Sequence, residues 1–325
     1  MMRLPPFAYH APADAAEVAT ILNSEGPEAM IVAGGTDLLP NMKRRHQMPK
    51  TLVSLRNVDE LRGVSMNGGV TIGANETLRA LERNGDLKTR LPALWTAVQS
   101  ISTPHLRNMG TIGGNICLDT RCNYYNQSWE WRRAIDFCMK CEGEICWTAP
   151  SSSICWAVNS SDSVPVFIAL GATFTLVSNE GERTIPAIEM FGEDGIEYLT
   201  KKKDEVLTRI EIPDQGAAKS VYRKVRRRGS FDFPVAAVAA RVELDGDEVK
   251  DCSIVLNAVG PKPVVCAEAQ DLLLGKKLDD DAIAEAAKLA ARGAKPLDNT
   301  DTVSMWRKKV VQVETKRALA DLRGD

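Results

Sequence analysis

Six of the eight cysteines in this 325-residue chain lie between Cys117 and Cys155. Sulfur so concentrated asks for a local purpose. Four of the cysteines run Cys122-x15-Cys138-x7-Cys146-x8-Cys155, with Cys117 and Cys141 as extras, and none of the three histidines falls in this stretch. Thiolates are the usual ligands of iron–sulfur clusters, and four of them fill a [4Fe–4S] or a [2Fe–2S] site. Zinc on four cysteines uses the same residue types. Only Cys138-x2-Cys141 has the close pairing typical of zinc ribbons. Trp129, Trp131, Trp147 and Trp156 stand ready either to shield a cluster from water or to form the small core of an insert. Cys252 and Cys266 lie in apolar surroundings and read as buried hydrophobes.

Two glycine pairs close strand-like runs, "AGGTDLLP" (Ala33 to Pro40) and "TIGGNIC" (Thr111 to Cys117). Successive backbone N–H groups in such a turn form a concave anion nest, and Thr36 and Asn115 add side-chain donors beside it. Two nests suit a pyrophosphate; each pair is equally well a tight turn. Neither G-x-G-x-x-G nor G-x-x-x-x-G-K-[ST] occurs, so a Rossmann or P-loop fingerprint is excluded.

The elements that must carry these groups are read from periodicity. Apolar residues at helical spacing over Asp14 to Ser24 predict a helix, "AMIVAGG" a buried strand, "DLLPNMKRR" a second helix and "KTLVSL" another strand. "VSMNGGVTIGA" reads as a hairpin, followed by a mostly helical run from Thr77 to Ile101. "VPVFIALGATFTLVSNEGERTIPA" has strand composition with a turn at Asn179 to Gly181, and "DEVLTRIEIP" is one more strand. After a linker at 214–220, three strand-like runs precede two helical ones, an α+β arrangement. The basic residues Lys224, Arg226, Arg227 and Arg228 admit a solvated strand face, a positive charge beside a cofactor, or a nucleic-acid patch; strict alternation puts Lys224, Arg226 and Arg228 on one face.

Charged residues make up 26% and hydrophobic ones 44%, with a formal net charge of −2. That balance gives no pull toward nucleic acid or anionic membranes. No apolar run is long enough for a signal peptide or a membrane span, so the expected location is the cytoplasm.

Six segments, "IVAGGTDLLPNMK", "IGANETL", "HLRNMGTIGGNI", "SDSVPVFIALGA", "YRKVRRRGSFDFPVAAVAA" and "AVGPKPVVCAEAQDLLLG", give the chain a resemblance to the FAD-binding medium subunits of the xanthine oxidase family of molybdenum hydroxylases. It spans about residues 4 to 322. The resemblance implies an α+β protein: a two-part FAD-binding domain over 1–213 (subdomains 1–56 and 57–213, with a cysteine-rich cluster loop at 117–160), the linker, and a C-terminal domain over 221–325. It implies that Ala33, Gly34, Gly35, Thr36 and Asp37 in one loop, and Thr111, Gly114 and Asn115 in the other, wrap the FAD pyrophosphate. Asp162 matches an aspartate on the adenosine side and Lys224 a lysine near the flavin, where a cation favours the anionic reduced ring.

Most such subunits lack the cysteine insertion. Its position after "TIGGNIC" and its x15, x7, x8 spacing resemble the beta subunits of 4-hydroxybenzoyl-CoA reductases. That match implies a [4Fe–4S] cluster on Cys122, Cys138, Cys146 and Cys155, leaving Cys117 and Cys141 as non-ligands. It further implies ferredoxin as electron donor and two partners, a small subunit with two [2Fe–2S] clusters and a large molybdenum-cofactor subunit, in a dimer of heterotrimers. The expected activity of the complex is reductive dehydroxylation of 4-hydroxybenzoyl-CoA, with no catalytic acid, base or nucleophile on this chain. Two other readings stay open, an FAD subunit serving a different aromatic or heterocyclic substrate, and a flavin-free binding protein stapled by zinc.

Overall fold

The first helix, Ala15–Glu25, forms where the apolar spacing requires it. Asp14 caps it by accepting the Glu17 N–H at 2.7 Å, Gly26 ends it at φ 66°, and Ala15, Val18, Ala19 and Leu22 make its buried face. Its core partners include Val53 of the strand Thr51–Ser54. The computed structural model describes residues 3–300 and 302–324.

Three sheets organise the chain. In the first, β1 (Ala8–His10), β2 (Ala29–Val32) and β3 (Thr51–Ser54) lie parallel in the order β1-β3-β2. β2 delivers the chain into the first glycine loop. The second sheet is antiparallel, with β4 (Val64–Ser65), β5 (Val70–Gly73), β6 (Thr173–Ser178), β7 (Gly181–Pro186) and β8 (Val206–Ile212) in the order β4-β5-β8-β6-β7. Its core holds Ile72, Leu81, Leu94, Phe167, Phe174 and Ile210. The third, also antiparallel, places β9 (Lys219–Val225), β10 (Ala236–Asp245), β11 (Glu248–Asn257) and β12 (Val264–Val265) in the order β12-β11-β10-β9. The helices Ala267–Leu273, Asp280–Gly293 and Ser304–Arg323 cover it. The architecture is α+β, as the sequence predicts.

Several elements differ from expectation. "VPVFIA" (Val164–Ala169) is a helix. Its apolar run is buried on nearly every side, so composition resembles a strand, but Pro165 in the first turn and Gly171 at φ 69° fit a short helix. The run from Thr77 to Ile101 breaks into Leu78–Arg83, Gly85–Arg90 and Pro92–Ser100, with caps at Thr77 and Asn84 and Pro92 starting the third piece. β9 begins at Lys219, inside the expected linker, and ends at Val225, so the alternation assumed for the basic run stops before Arg226.

The cysteine segment leaves the second glycine loop and returns before Val164. Its one helix is Trp129–Ala134, capped by Ser128. Arg121 and Val158 exchange backbone hydrogen bonds of 2.9 and 2.8 Å, which closes its neck. Among the described residues no helix is long and apolar enough to cross a membrane.

Candidate flavin and cysteine sites

The two glycine loops touch. A Cβ on Gly34 would lie 1.9 Å from the Met109 carbonyl oxygen, and one on Gly110 would lie 3.4 Å from Thr36 Oγ1. Gly35 sits at φ 68°, in the left-handed region that glycine tolerates. In the second loop Thr111 Oγ1 accepts the Gly114 N–H at 3.1 Å and so caps the short helix Ile112–Ile116. Only glycine permits the packing at 113, where a Cβ would lie 2.6 Å from the Ala74 carbonyl oxygen. Ala33 to Asp37 and Thr111 to Asn115 thus belong to one locality.

Asn115 is oriented by serines. Its Oδ1 accepts from the hydroxyls of Ser161 at 2.8 Å and Ser163 at 2.7 Å. Between them, Asp162 accepts from Tyr222 Oη at 2.6 Å and from Lys224 Nζ at 2.8 Å. Burial pushes the Asp162 carboxyl up and the Lys224 ammonium down, while their mutual attraction opposes both shifts. Asp162 and Lys224, expected on the adenosine side and near the flavin, form one buried ion pair. Lys224 Nζ also donates to the Ser100 carbonyl at 3.1 Å, and Arg226 Nη1 donates to the same oxygen at 2.8 Å. Arg228 instead pairs with Asp232 and does not share their face.

Cys122, Cys138, Cys146 and Cys155 line a single small cavity, together with Tyr124, Tyr125, Lys140 and Trp147. Cys117 and Cys141 lie outside its wall. Cys141 Sγ accepts a hydrogen bond from Arg132 Nη1 at 2.8 Å, and Cys117 follows the helix Ile112–Ile116 as its C-cap. Burial pushes the Cys122 thiol up to about 11 and raises Cys138. The hydrogen bond with Cys155 holds Cys146 down at about 5 and raises Cys155, which burial raises further. The donor set fits a thiolate-ligated metal group. Among the described residues, no group of three His, Cys, Asp or Glu is arranged to hold one metal ion. Trp147 is part of the wall, whereas Trp129 and Trp131 are 37% and 39% exposed and do not shield it.

Comparison with known proteins bears on both sites. The FAD binding domain in molybdopterin dehydrogenase matches residues 5–215, and the CO dehydrogenase flavoprotein C-terminal domain matches residues 220–322. The chain is an FAD-binding medium subunit of the xanthine oxidase family. This medium subunit is 29% identical over 318 residues to the carbon monoxide dehydrogenase medium chain of Hydrogenophaga pseudoflava, covering 97% of this chain and 96% of that protein. It is 29% identical over 292 residues to the glyceraldehyde dehydrogenase medium chain of Sulfolobus acidocaldarius, covering 90% and 89%. Among solved structures it superposes on carbon monoxide dehydrogenase from Hydrogenophaga pseudoflava with a TM-score of 0.82 at 27% identity, covering 99% of this chain and 98% of that one. Quinoline 2-oxidoreductase from Pseudomonas putida 86 gives 0.79 at 26% identity, covering 99% and 98%. Names spanning CO, glyceraldehyde and quinoline place the common element in the flavin fold. FAD is the cofactor of this medium subunit.

Residues that sequence reasoning missed surround both sites. Lys140 donates to Asp119 at 2.9 Å and to the Gly195 carbonyl at 2.6 Å, with its ammonium about 5 Å from the rings of Tyr125 and Tyr198. Arg121 pairs with Asp37 and lies under the Phe233 ring. Arg132 reaches the carbonyls of Arg44 and Arg45. The only available signal was position, since Arg121 and Lys140 lie within two residues of a cysteine while their partners are remote in sequence.

Proposed function

We propose that this medium subunit is the electron-relaying subunit of a 4-hydroxybenzoyl-CoA reductase, carrying FAD and a [4Fe–4S] cluster on Cys122, Cys138, Cys146 and Cys155. The observation that carries the reading is the shared cavity: four cysteines spread over 34 positions line it, and the two excluded cysteines do not. Bound FAD exchanges electrons singly or in pairs, and a cluster adds a one-electron station whose potential can lie far below zero. The chain's own residues hold and insulate these groups. Ala33, Gly34, Gly35, Thr36 and Asp37, with Thr111, Gly114 and Asn115, line the dinucleotide pyrophosphate, with Asp162 on its adenosine side and Lys224 near the flavin. Lys140 places a cation against the cysteine cavity, where it favours thiolate at Cys155.

In this reading a cytoplasmic ferredoxin supplies the electrons. They leave for a small subunit with two [2Fe–2S] clusters and a large molybdenum-cofactor subunit, in a dimer of heterotrimers that converts 4-hydroxybenzoyl-CoA to benzoyl-CoA. The relatives' names favour a second reading, a dehydrogenase subunit whose complex oxidises another substrate.

The deciding measurement is iron, acid-labile sulfide, zinc and FAD content on protein prepared without oxygen, with a low-temperature EPR spectrum after dithionite reduction. The expected result is about four irons per FAD, a cluster signal lost in Cys146→Ser and retained in Cys141→Ser. Zinc in place of iron, with FAD bound, sinks the relay. Iron with no ferredoxin-driven reduction of 4-hydroxybenzoyl-CoA by the whole complex leaves the second reading.

A further inference from the structure

Arg121 is buried, at 8% exposed, and three sides of it are accounted for. Its Nη2 donates to Asp37 of the first glycine loop. Its guanidinium lies 4.7 Å from the centre of the Phe233 ring, and its backbone is paired both ways with Val158. Its Nε–H is buried and without an acceptor. An arginine cannot shed this proton, and buried donors are almost always paired; Arg132 Nε is also buried and unpaired, so the neighbours of Arg121 must say whether its partner lies outside the chain.

The neighbours say which partner. Asp37 closes the loop that touches the second glycine loop, and Phe233 comes from the segment after Lys224 and Arg226. We propose that Arg121 is a direct FAD contact, its Nε–H donating to an acceptor oxygen of the dinucleotide. The guanidinium fork is rigid: Nη2 is spent on Asp37 and one face on Phe233, and together these fix the direction in which the buried Nε–H points. Because Asp37 balances the charge, Arg121 acts through a directed hydrogen bond more than through net charge. A lysine therefore cannot replace it. The inference needs only FAD, and it stands whether or not the neighbouring cavity holds iron.

The experiment measures FAD affinity of the full-length chain by flavin fluorescence titration for Arg121→Lys, Arg121→Gln and Asp37→Asn, with thermal melting of each. Arg121→Lys and Arg121→Gln are expected to weaken FAD binding about 10- to 100-fold, as loss of one charge-assisted hydrogen bond does. Asp37→Asn, which keeps the Nε contact, should lose less than either. Wild-type affinity in Arg121→Lys overturns the proposal, and so does an Asp37→Asn loss equal to that of Arg121→Lys, because Arg121 then acts only by shaping the loop. If Arg121→Gln fails to fold, the comparison of Arg121→Lys with Asp37→Asn decides alone.

Discussion

Gly34→Ala is a small change with a large geometric consequence. The new Cβ would stand 1.9 Å from the Met109 carbonyl oxygen and 2.5 Å from its carbon. Non-bonded heavy atoms settle near about 3.5 Å, so the two glycine loops must part by roughly 1.5 Å. Both contacts are backbone, so no rotamer change relieves them. Forcing an extra carbon into such packing costs about 1–3 kcal/mol. The strain has two outlets. If the loops stay together, it lowers stability, and about 2 kcal/mol corresponds to a melting temperature lower by roughly 3 °C in a chain of this size. If they part in the flavin-free protein, closing them on FAD restores the strain, and the same 2 kcal/mol weakens binding by about 30-fold. The assay is FAD titration together with calorimetry of the free and loaded protein. Gly85→Ala is the matched control, since a Cβ there meets nothing within 4 Å and the residue opens a helix. Unchanged melting and unchanged FAD affinity in Gly34→Ala would refute the argument that contact between the loops explains the glycine.

Three further outcomes follow from buried charge. Asp162→Asn leaves the Lys224 ammonium without its carboxylate and should cost about 3–5 kcal/mol in urea unfolding, with part recovered in the double variant Asp162→Asn, Lys224→Met; a neutral single variant contradicts this. Arg307 is fully buried and donates to the carbonyls of Val235, Ala258 and Leu297 and to Asn299 Oδ1, with burial lowering it to about 10. Arg307→Met strands these acceptors and should cost about 3 kcal/mol or more, read from the denaturation midpoint. Glu82 accepts from Arg107 Nη2 at 3.0 Å and from Arg79 at 2.8 Å, and these bonds, Arg107 foremost, hold its carboxyl below the usual range. Its stabilisation is complete above the unfolded value of about 4.3 and is lost as pH falls through the lower folded one; Glu82→Gln should flatten stability against pH across that acid window.

What could be read from the sequence depended on how local its cause was. The helix Ala15–Glu25 carried its cap, its apolar face and its terminating glycine within thirteen residues. The strands around the glycine loops were bounded by turn residues beside them. Val164–Ala169 failed because a helix buried nearly all round has no polar face to reveal its period. The cysteines were conspicuous by spacing, yet the hydrogen bond that Cys141 accepts from Arg132, which also reaches Arg44 and Arg45, joins remote parts of the chain. The pairing of Asp162 with Lys224 joins positions 62 residues apart, and that of Asp37 with Arg121 joins positions 84 apart. No pattern in a window of ten or fifteen residues contains either.

The insertion itself can be understood from its ends. A connection this long, with one short helix of its own, is uncommon unless it has a function or remains unstructured. Here the ends are held before the middle is asked to do anything. Arg121 and Val158 exchange two backbone hydrogen bonds, Asn123 N–H donates to the Asn299 carbonyl at 2.9 Å, and Asn299 Nδ2 donates to the Trp156 carbonyl at 2.7 Å. Arg307 in turn grips Asn299 at 2.9 Å. Once the neck is closed, lengthening the loop costs little, about 0.6 kcal/mol for each doubling. The fold can therefore carry the segment without altering the flavin loops. What such a segment lacks is apolar mass: its small core is Tyr125, Ala157 and the thiols of Cys122, Cys138 and Cys155. Three thiols are poor substitutes for leucines as a core, and thiolates are strong ligands. If the segment carries the proposed cluster, its neck is where that binding would be felt by the flavin site, through Arg121 beside Cys122.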